Sequence, residues 1–180
     1  MVAIFIQTLR LILRKFREED FTDFCEYAMD EEMCRMVGWQ NMNDIAAAKA
    51  VFDKMCAEPR GYAMVYKETG KVIGNFSVSS LHPFLKQLPE LQGKRGCVIS
   101  FALSKAYQRR GLVYEAASAV IDYLLRVEQM EFINAGYFSY NTPSKGLQEK
   151  LGFRFLATHG FRRGEEEIEV IENIIWNQQI

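Results

Sequence analysis

The sequence predicts one mixed α/β domain, on three observations. An apolar strand-like run (Gly96–Leu103), a long amphipathic stretch (Leu112–Val127) and a second strand-like run (Glu131–Phe138) follow one another. Such a strand–helix–strand crossover returns its second strand parallel to the first, in the right-handed sense. Two further runs, Tyr62–Lys67 and Val72–Leu81, are separated only by the turn Glu68-Thr69-Gly70-Lys71 and so form an antiparallel hairpin. No repeat, low-complexity tract or linker divides the chain, and residues 1–180 are read as a single domain. At that length folding buries about 70% of the unfolded chain's surface, enough for a core without staples.

The other elements follow in chain order. Thr8–Arg14 alternates, with Leu9, Leu11 and Leu13 on one side, as a half-buried strand does. Glu18, Glu19 and Asp20 place negative charge where a helix N-terminus favours it, and Phe21, Phe24, Cys25 and Ala28 recur at helical spacing. A second helix starts with Asn43 as N-cap and shows Ala48, Val51, Phe52 and Met55 on one face. The stretch His82–Arg95, with Pro83 and Pro89, reads as a surface loop. Within Leu112–Val127 the stripe Val113, Ala116, Ala117, Val120, Ile121, Leu124 and Val127 marks the strongest helix of the chain. A short helix then has stops at both ends: Thr142 caps it, Pro143 suits its first turn and Gly152 its C′ position. Phe153–His159 and Ile168–Trp176 close the chain as strands around Gly160–Gly164.

Composition excludes several functions. With 22 Lys plus Arg against 23 Asp plus Glu, the net charge of -1 lacks the cation surplus of a dedicated nucleic-acid binder. Lys94, Arg95, Lys105, Arg109 and Arg110 still make local basic patches, whose binding of an oligonucleotide would be steeply salt-dependent. No apolar run approaches the roughly 20 residues that span a bilayer. Met1–Ile6 is too short, and lacks the basic flank, for a signal peptide. Cys25, Cys34, Cys56 and Cys97 contain no C-x-x-C pair and read as reduced thiols of a cytoplasmic protein. His82 and His159 are the only histidines, too little for a zinc site or a Ser-His-Asp triad, so no metal is expected.

The informative segment is Ser104-Lys105-Ala106-Tyr107-Gln108-Arg109-Arg110-Gly111-Leu112-Val113-Tyr114-Glu115, between a strand end and the start of the long helix. The first amides of a helix have no intrahelical acceptor and together carry about half a positive charge, so they seat anions. Gly111 lets a bulky anion approach the backbone, and Arg109 and Arg110 add cationic donors. A pyrophosphate fits such a seat; a basic surface turn with a helix-start glycine fits the same residues. The glycine pattern of a dinucleotide fingerprint and the Gly-Lys-Ser/Thr of a Walker loop are both missing.

Beyond the next strand, Asn141 and Ser144 precede Leu147-Gln148-Glu149-Lys150-Leu151-Gly152-Phe153. Together with Ile99–Leu103 and the Gln108-x-x-Gly111 loop, these residues resemble the GCN5-related N-acetyltransferase (GNAT) family. The nearest branch is that of ribosomal-protein N-terminal acetyltransferases (RimJ/RimL-like), whose opening is similar to Leu9–Arg14 followed by Glu18-Glu19-Asp20. The resemblance runs from about Leu9 to Trp176. It implies a mixed, mostly antiparallel sheet of about six or seven strands, with a central parallel crossover and helices on both faces. The activity it implies is transfer of the acetyl group of acetyl-CoA to a primary amine by direct attack on the thioester. The acceptor would be a peptide N-terminus or a small molecule, and relatives often form homodimers.

By the same similarity, the amides of Arg109, Arg110, Gly111, Leu112, Val113 and Tyr114 would bind the pyrophosphate of coenzyme A, with Gln108 and Gly111 at the motif's named positions. Val113 stands where the family usually has Gly or Ala, which tightens one wall of the seat. The backbone around Phe101, Ala102 and Leu103 would pair with pantetheine as an added strand does, and the amide near Leu103 would stabilise the oxyanion. Asn141 matches the asparagine that contacts the cofactor arm. Ser144 matches the serine near the sulfur, as proton donor or water anchor. Many members place a tyrosine where this chain has Gln148, and some carry a carboxylate on the strand that here reads Cys97–Leu103 without one. The base is therefore unnamed. These departures keep open a second reading, a non-catalytic coenzyme A sensor or interaction module on the same fold.

Other residues have two readings each. Trp39 lines an acceptor pocket or packs against helices; Glu115 is a base or part of a salt bridge. Glu165-Glu166-Glu167 attracts a cationic acceptor or is a solvated hairpin tip. Cys97 reads as buried and inert. Acceptor choice would rest on the loops Asp30–Asn43 and His82–Arg95.

Overall fold

A computed structural model describes residues 5–40 and 42–178; Met1 to Ile4 of the opening segment lie outside them. In chain order the elements are β1 (Ile6–Gln7), β2 (Leu11–Arg14), α1 (Phe21–Ala28), α2 (Glu31–Val37), α3 (Ile45–Ala57), β3 (Gly61–Tyr66), β4 (Val72–Ser79), α4 (Pro83–Gln87), β5 (Gly96–Leu103), α5 (Leu112–Arg126), β6 (Phe132–Phe138), α6 (Thr142–Leu151), β7 (Arg154–Arg163) and β8 (Glu166–Trp176). The strand order is β1-β2-β3-β4-β5-β6-β8-β7. Pairing is mostly antiparallel, with β5 and β6 parallel as the crossover predicts. The described residues therefore carry eight strands rather than six or seven. The chain forms two compact units, Met1–Ser77 with Phe101–Ala119, and Val78–Ser100 with Val120–Ile180. Parts of β4, β5 and α5 belong to each.

In the first unit, Phe24, Tyr27 and Ala28 of α1, Ala48 and Phe52 of α3, and Ala63 and Val65 of β3 close a core with Ala102. Its aromatic rings meet edge to face, as Phe16 and Phe52 do at 5.6 Å. Trp39 packs into this core, 6.2 Å from Phe24, which is the packing reading of that residue. Three expectations are corrected here. Leu9 is 86% exposed instead of sharing a face with Leu11 and Leu13. The cause is local: the Thr8 hydroxyl accepts from the Leu11 amide at 3.0 Å and folds Thr8–Arg10 into a turn between β1 and β2. Asp44, not Asn43, caps α3, its carboxylate accepting from the Ala47 amide. Residues after Asp30, read as part of a loop, form α2, with Asp30 as N-cap and Gly38 in the left-handed region as its stop.

In the second unit, Leu85, Leu91, Phe132 and Ile174 form a core joined by Val98 and Leu156. The stretch His82–Arg95 is thus no bare surface loop: it contains α4 and a 3₁₀ turn at Pro89–Leu91, because Leu85 and Leu91 recur at a spacing that buries both. Asn141 rather than Thr142 caps α6, its Oδ1 accepting from the Ser144 amide at 3.1 Å. The last hairpin turns more tightly than Gly160–Gly164; β7 and β8 pair out to Arg163 and Glu166. Val127 lies past the end of α5 and is exposed, whereas Ala116, Ala117, Val120 and Leu124 are buried. No helix among the described residues is long and apolar enough to cross a membrane.

Candidate active site

The loop after β5 is built to hold its amides in place. Ser104 donates its amide to Ile73 at 2.8 Å, and Lys105–Tyr107 makes one 3₁₀ turn. The side chain of Gln108 turns back to donate to the Leu103 carbonyl at 3.1 Å, closing the loop on the end of its own strand. Arg109 and Gly111 both adopt positive φ, 61° and 73°. A side chain in that region costs energy that glycine avoids, so Gly111 is the residue the turn demands. Leu112 is 1% exposed and anchors the helix start; Val113 and Tyr114 are half-buried beside it. The Leu112 and Val113 amides have no intrahelical acceptor, and Arg109 and Arg110 stand exposed around them. Arg110 lies over the Tyr107 ring at 5.2 Å, while Lys105 pairs with Glu32 at 2.5 Å.

Arg10 braces this turn from β2's side. Its Nη1 donates to the Arg110 carbonyl at 2.9 Å, and its Nε and amide nitrogen both donate to Glu115 at 2.7 Å. The Thr8 hydroxyl donates to the same carboxylate at 2.5 Å. Burial pushes the Glu115 carboxyl up, but the donors from Thr8 and Arg10 outweigh it and hold the group below the usual carboxylate range. Glu115 is thus salt-bridged. Thr8, Arg10, Gly111, Tyr114 and Glu115 line a concavity of about 660 Å³. At the end of β5, Phe101 packs on Phe76 at 6.0 Å, and Ala102 and Leu103 are buried.

The second unit carries Asn141 and Ser144. Beyond its cap bond, Ser144 accepts at Oγ from Gln148 Nε2 at 3.2 Å, which leaves the hydroxyl proton available for donation. Gln148 is 1% exposed and accepts at Oε1 from Asn173 at 3.0 Å. Position 148, noted in the sequence only for the tyrosine it lacks, therefore orients Ser144; its i+4 spacing on one helix face was the available signal.

A further group escaped sequence reasoning. The buried carboxylate of Glu172 on β8 receives His82 Nε2 at 3.1 Å and His159 Nε2 at 2.9 Å on one oxygen, and Asn134 Nδ2 at 3.0 Å on the other. The histidine and carboxylate donor atoms all lie within 4.8 Å of one another. Both histidines, discounted as too few, meet here. Glu172 was readable as inward-facing, since Ile168, Val170 and Ile174 share its strand parity.

The sequence profile of the acetyltransferase (GNAT) domain matches residues 10–154. The chain belongs to this acetyltransferase family. Among relatives of this acetyltransferase, "Uncharacterized N-acetyltransferase p20" of Bacillus licheniformis is 25% identical over 154 residues, 83% of this chain and 82% of that protein. The "[Ribosomal protein uS5]-alanine N-acetyltransferase" of Escherichia coli strain K12 is 33% identical over 57 residues, 32% of this chain and 29% of that protein. In three dimensions the acetyltransferase resembles a GNAT-family acetyltransferase from Bacillus anthracis, with a TM-score of 0.84 at 20% identity, over 97% of this chain and 99% of that one. It also resembles a ribosomal-protein-S5-alanine acetyltransferase from Vibrio fischeri, with a TM-score of 0.71 at 16% identity over 98% of both chains. The expected mixed α/β architecture is thereby found.

Proposed function

We propose that this acetyltransferase acts as one catalytic domain that moves the acetyl group of acetyl-CoA to a primary amine, either the α-amine of a peptide or a small-molecule amine. The observation that carries this reading is the turn at Arg109–Gly111, with two positive φ angles, a helix N-terminus behind it and Arg10 clamped to its carbonyl. It suits a diphosphate because unpaired amides and the helix dipole favour clustered negative charge. Gln108 acts by shaping this turn, and Asn141 by capping α6, so each supports the site through the backbone it fixes.

In this reading the amine lone pair attacks the thioester carbonyl, the amide near Leu103 stabilises the oxyanion, and Ser144 donates its free hydroxyl proton toward the leaving thiolate or orients a water that does. An α-amine, with pKa about 8, is deprotonated more readily at neutral pH than a lysine amine at about 10.4. The partial match to the uS5-alanine acetyltransferase supports the α-amine of a peptide as acceptor. The test is release of free coenzyme A thiol from acetyl-CoA over a panel of N-terminal peptides and small amines. Turnover with at least one of them is expected; acetyl-CoA binding without turnover across the panel would leave the sensor reading in its place.

A further inference from the structure

The geometry points to His82 as the general base of the transfer, held in its working tautomer by Glu172. This rests on the proposed acetyl transfer and names the base that the strand Cys97–Leu103 does not supply.

The protons follow from the partners. A carboxylate and a peptide carbonyl only accept hydrogen bonds. His159 touches one of each, Glu172 Oε1 at 2.9 Å through Nε2 and the Gly160 carbonyl at 3.1 Å through Nδ1, so both of its ring nitrogens are already engaged by the protein. His82 touches the same Oε1 through Nε2 alone. Its Nε2 therefore carries the proton, and its Nδ1, which has no protein partner among the described residues, presents a lone pair. His82 is half-exposed whereas Glu172 is buried. One buried carboxylate oxygen thus holds both histidines, and only His82 keeps a ring nitrogen without a protein partner among the described residues. The titratable groups facing His82 are Glu172 from β8 and His159 from β7; Phe84, from α4, packs its ring 6.3 Å from His82 and 4.4 Å from His159.

The surrounding chain is shaped to hold this carboxylate. Gly136 faces Glu172 across the β6–β8 pair, and a Cβ there would lie 2.8 Å from Glu172 Oε2. Asn134 turns its NH₂ to Oε2 and to the Asn173 carbonyl while its own Oδ1 stays buried without a partner. A buried acceptor left without a partner is costly, and the reverse orientation, setting oxygen against two acceptors, would be worse. Asn134 is also where β6 ends its pairing with β5, at Val98↔Asn134, although β6 continues to Phe138. Neighbouring strands lie about 4.8 Å apart, so Glu172, to which His82 is bonded, stands one strand away from the stretch of β6 that an added thioester chain would meet.

In the step, His82 Nδ1 takes one proton from the acceptor ammonium. The freed nitrogen pair forms the bond to the thioester carbonyl carbon, the C–S bond breaks with its electrons on sulfur, and that thiolate takes the Ser144 hydroxyl proton or one from a water it orients, which a second amine proton replaces. Ammonium and thioester become amide, thiol and one proton on His82, which passes to water.

The test uses the full chain with an amine that the panel identifies. In His82→Asn, kcat should fall about 100-fold, the range of a lost general base, with acetyl-CoA affinity and melting temperature near wild type and the acidic limb of the pH–rate profile gone. Added imidazole should restore part of the rate to His82→Ala. Glu172→Gln should lower kcat in the same way without changing acetyl-CoA affinity. Nitrogen-15 spectra of labelled histidines should show a proton on Nε2 but not Nδ1 of His82. Wild-type rates and pH profile in His82→Asn would overturn the assignment, as would a proton on His82 Nδ1, or stoichiometric zinc retained by wild type and lost with His82→Asn. An inactive wild type would instead defeat the acetyl-transfer reading beneath it.

Discussion

The guanidinium of Arg10 donates from Nη1 to the main-chain carbonyl of Arg110 at 2.9 Å, so the residue just before β2 sets the carbonyl inside the turn proposed to hold the diphosphate. The same side chain holds Glu115 through Nε. Its planar fork serves both partners at once, which the single ammonium of lysine does not. Arg10→Ala is expected to weaken acetyl-CoA binding about tenfold, or ~1.4 kcal/mol. Arg10→Lys should keep the Glu115 ion pair, and so most of the stability, yet lose a similar share of affinity. Calorimetric titration with acetyl-CoA beside a thermal melt separates the two effects, and equal affinity in all three proteins would refute the brace.

Glu115 makes the fold sensitive to acid. Its carboxyl is held below the ordinary range in the folded protein, so its contribution is complete above the unfolded value of about 4.3. That contribution disappears as pH falls through the lower folded value. Glu115→Gln should cost about 1–3 kcal/mol at pH 7, as expected for a partly buried group that loses charge-assisted hydrogen bonds. The difference between variant and wild type should be flat from pH 5 upward and should close in more acidic buffer. Urea titrations at a series of pH values measure it; a gap that widens on acidification would contradict the ion pair.

Much of this was readable in the sequence, and the failures share a cause. The crossover β5–α5–β6 was legible because apolar periodicity switches from 2 to 3.6 and back over long runs. The turn at Gly111 was legible because glycine, arginines and a helix start coincide. Leu9 was misplaced because alternation alone does not register that the Thr8 hydroxyl will bond the Leu11 amide. The helix in Pro83–Gln87 was missed because five residues carry too little period to outweigh two prolines. His82, Glu172 and His159 were missed as a group because they are 90 and 13 residues apart in sequence; only the pairing of β7 with β8 and the folding of α4 unite them.

Gly111 separates strain from charge. Any L-residue at its φ of 73° is strained, by roughly 1–2 kcal/mol. An added Cβ would lie 3.7 Å from Arg10 Nη2. Gly111→Ala should therefore lower the melting temperature with a modest loss of acetyl-CoA affinity. Gly111→Asp should recover some of that stability by approaching Arg10, yet bind acetyl-CoA at least about 100-fold more weakly, since its carboxylate occupies the anion seat and withdraws the guanidinium. Stability and affinity thus move in opposite directions between the two variants. Aspartate binding acetyl-CoA as well as alanine does would remove the phosphates from this turn.

Ser144 and Gln148 distinguish a group that moves a proton from one that only caps a helix. The cap bond at Ser144 uses its amide and Asn141 Oδ1, which any residue at 144 keeps. Ser144→Ala therefore leaves α6 intact and removes only the hydroxyl that Gln148 Nε2 holds at 3.2 Å. Turnover should fall about 100-fold, as for a lost proton donor, with acetyl-CoA affinity changed less than threefold. Gln148→Leu keeps the hydroxyl but frees it to rotate and strands the Asn173 amide at 3.0 Å from a lost acceptor. It should lower kcat less than Ser144→Ala does while lowering stability more, by about 1–3 kcal/mol. Steady-state kinetics and chemical denaturation on both variants give the two orders. If Ser144→Ala weakens binding and leaves kcat alone, the hydroxyl touches the thioester's arm and not its departing sulfur.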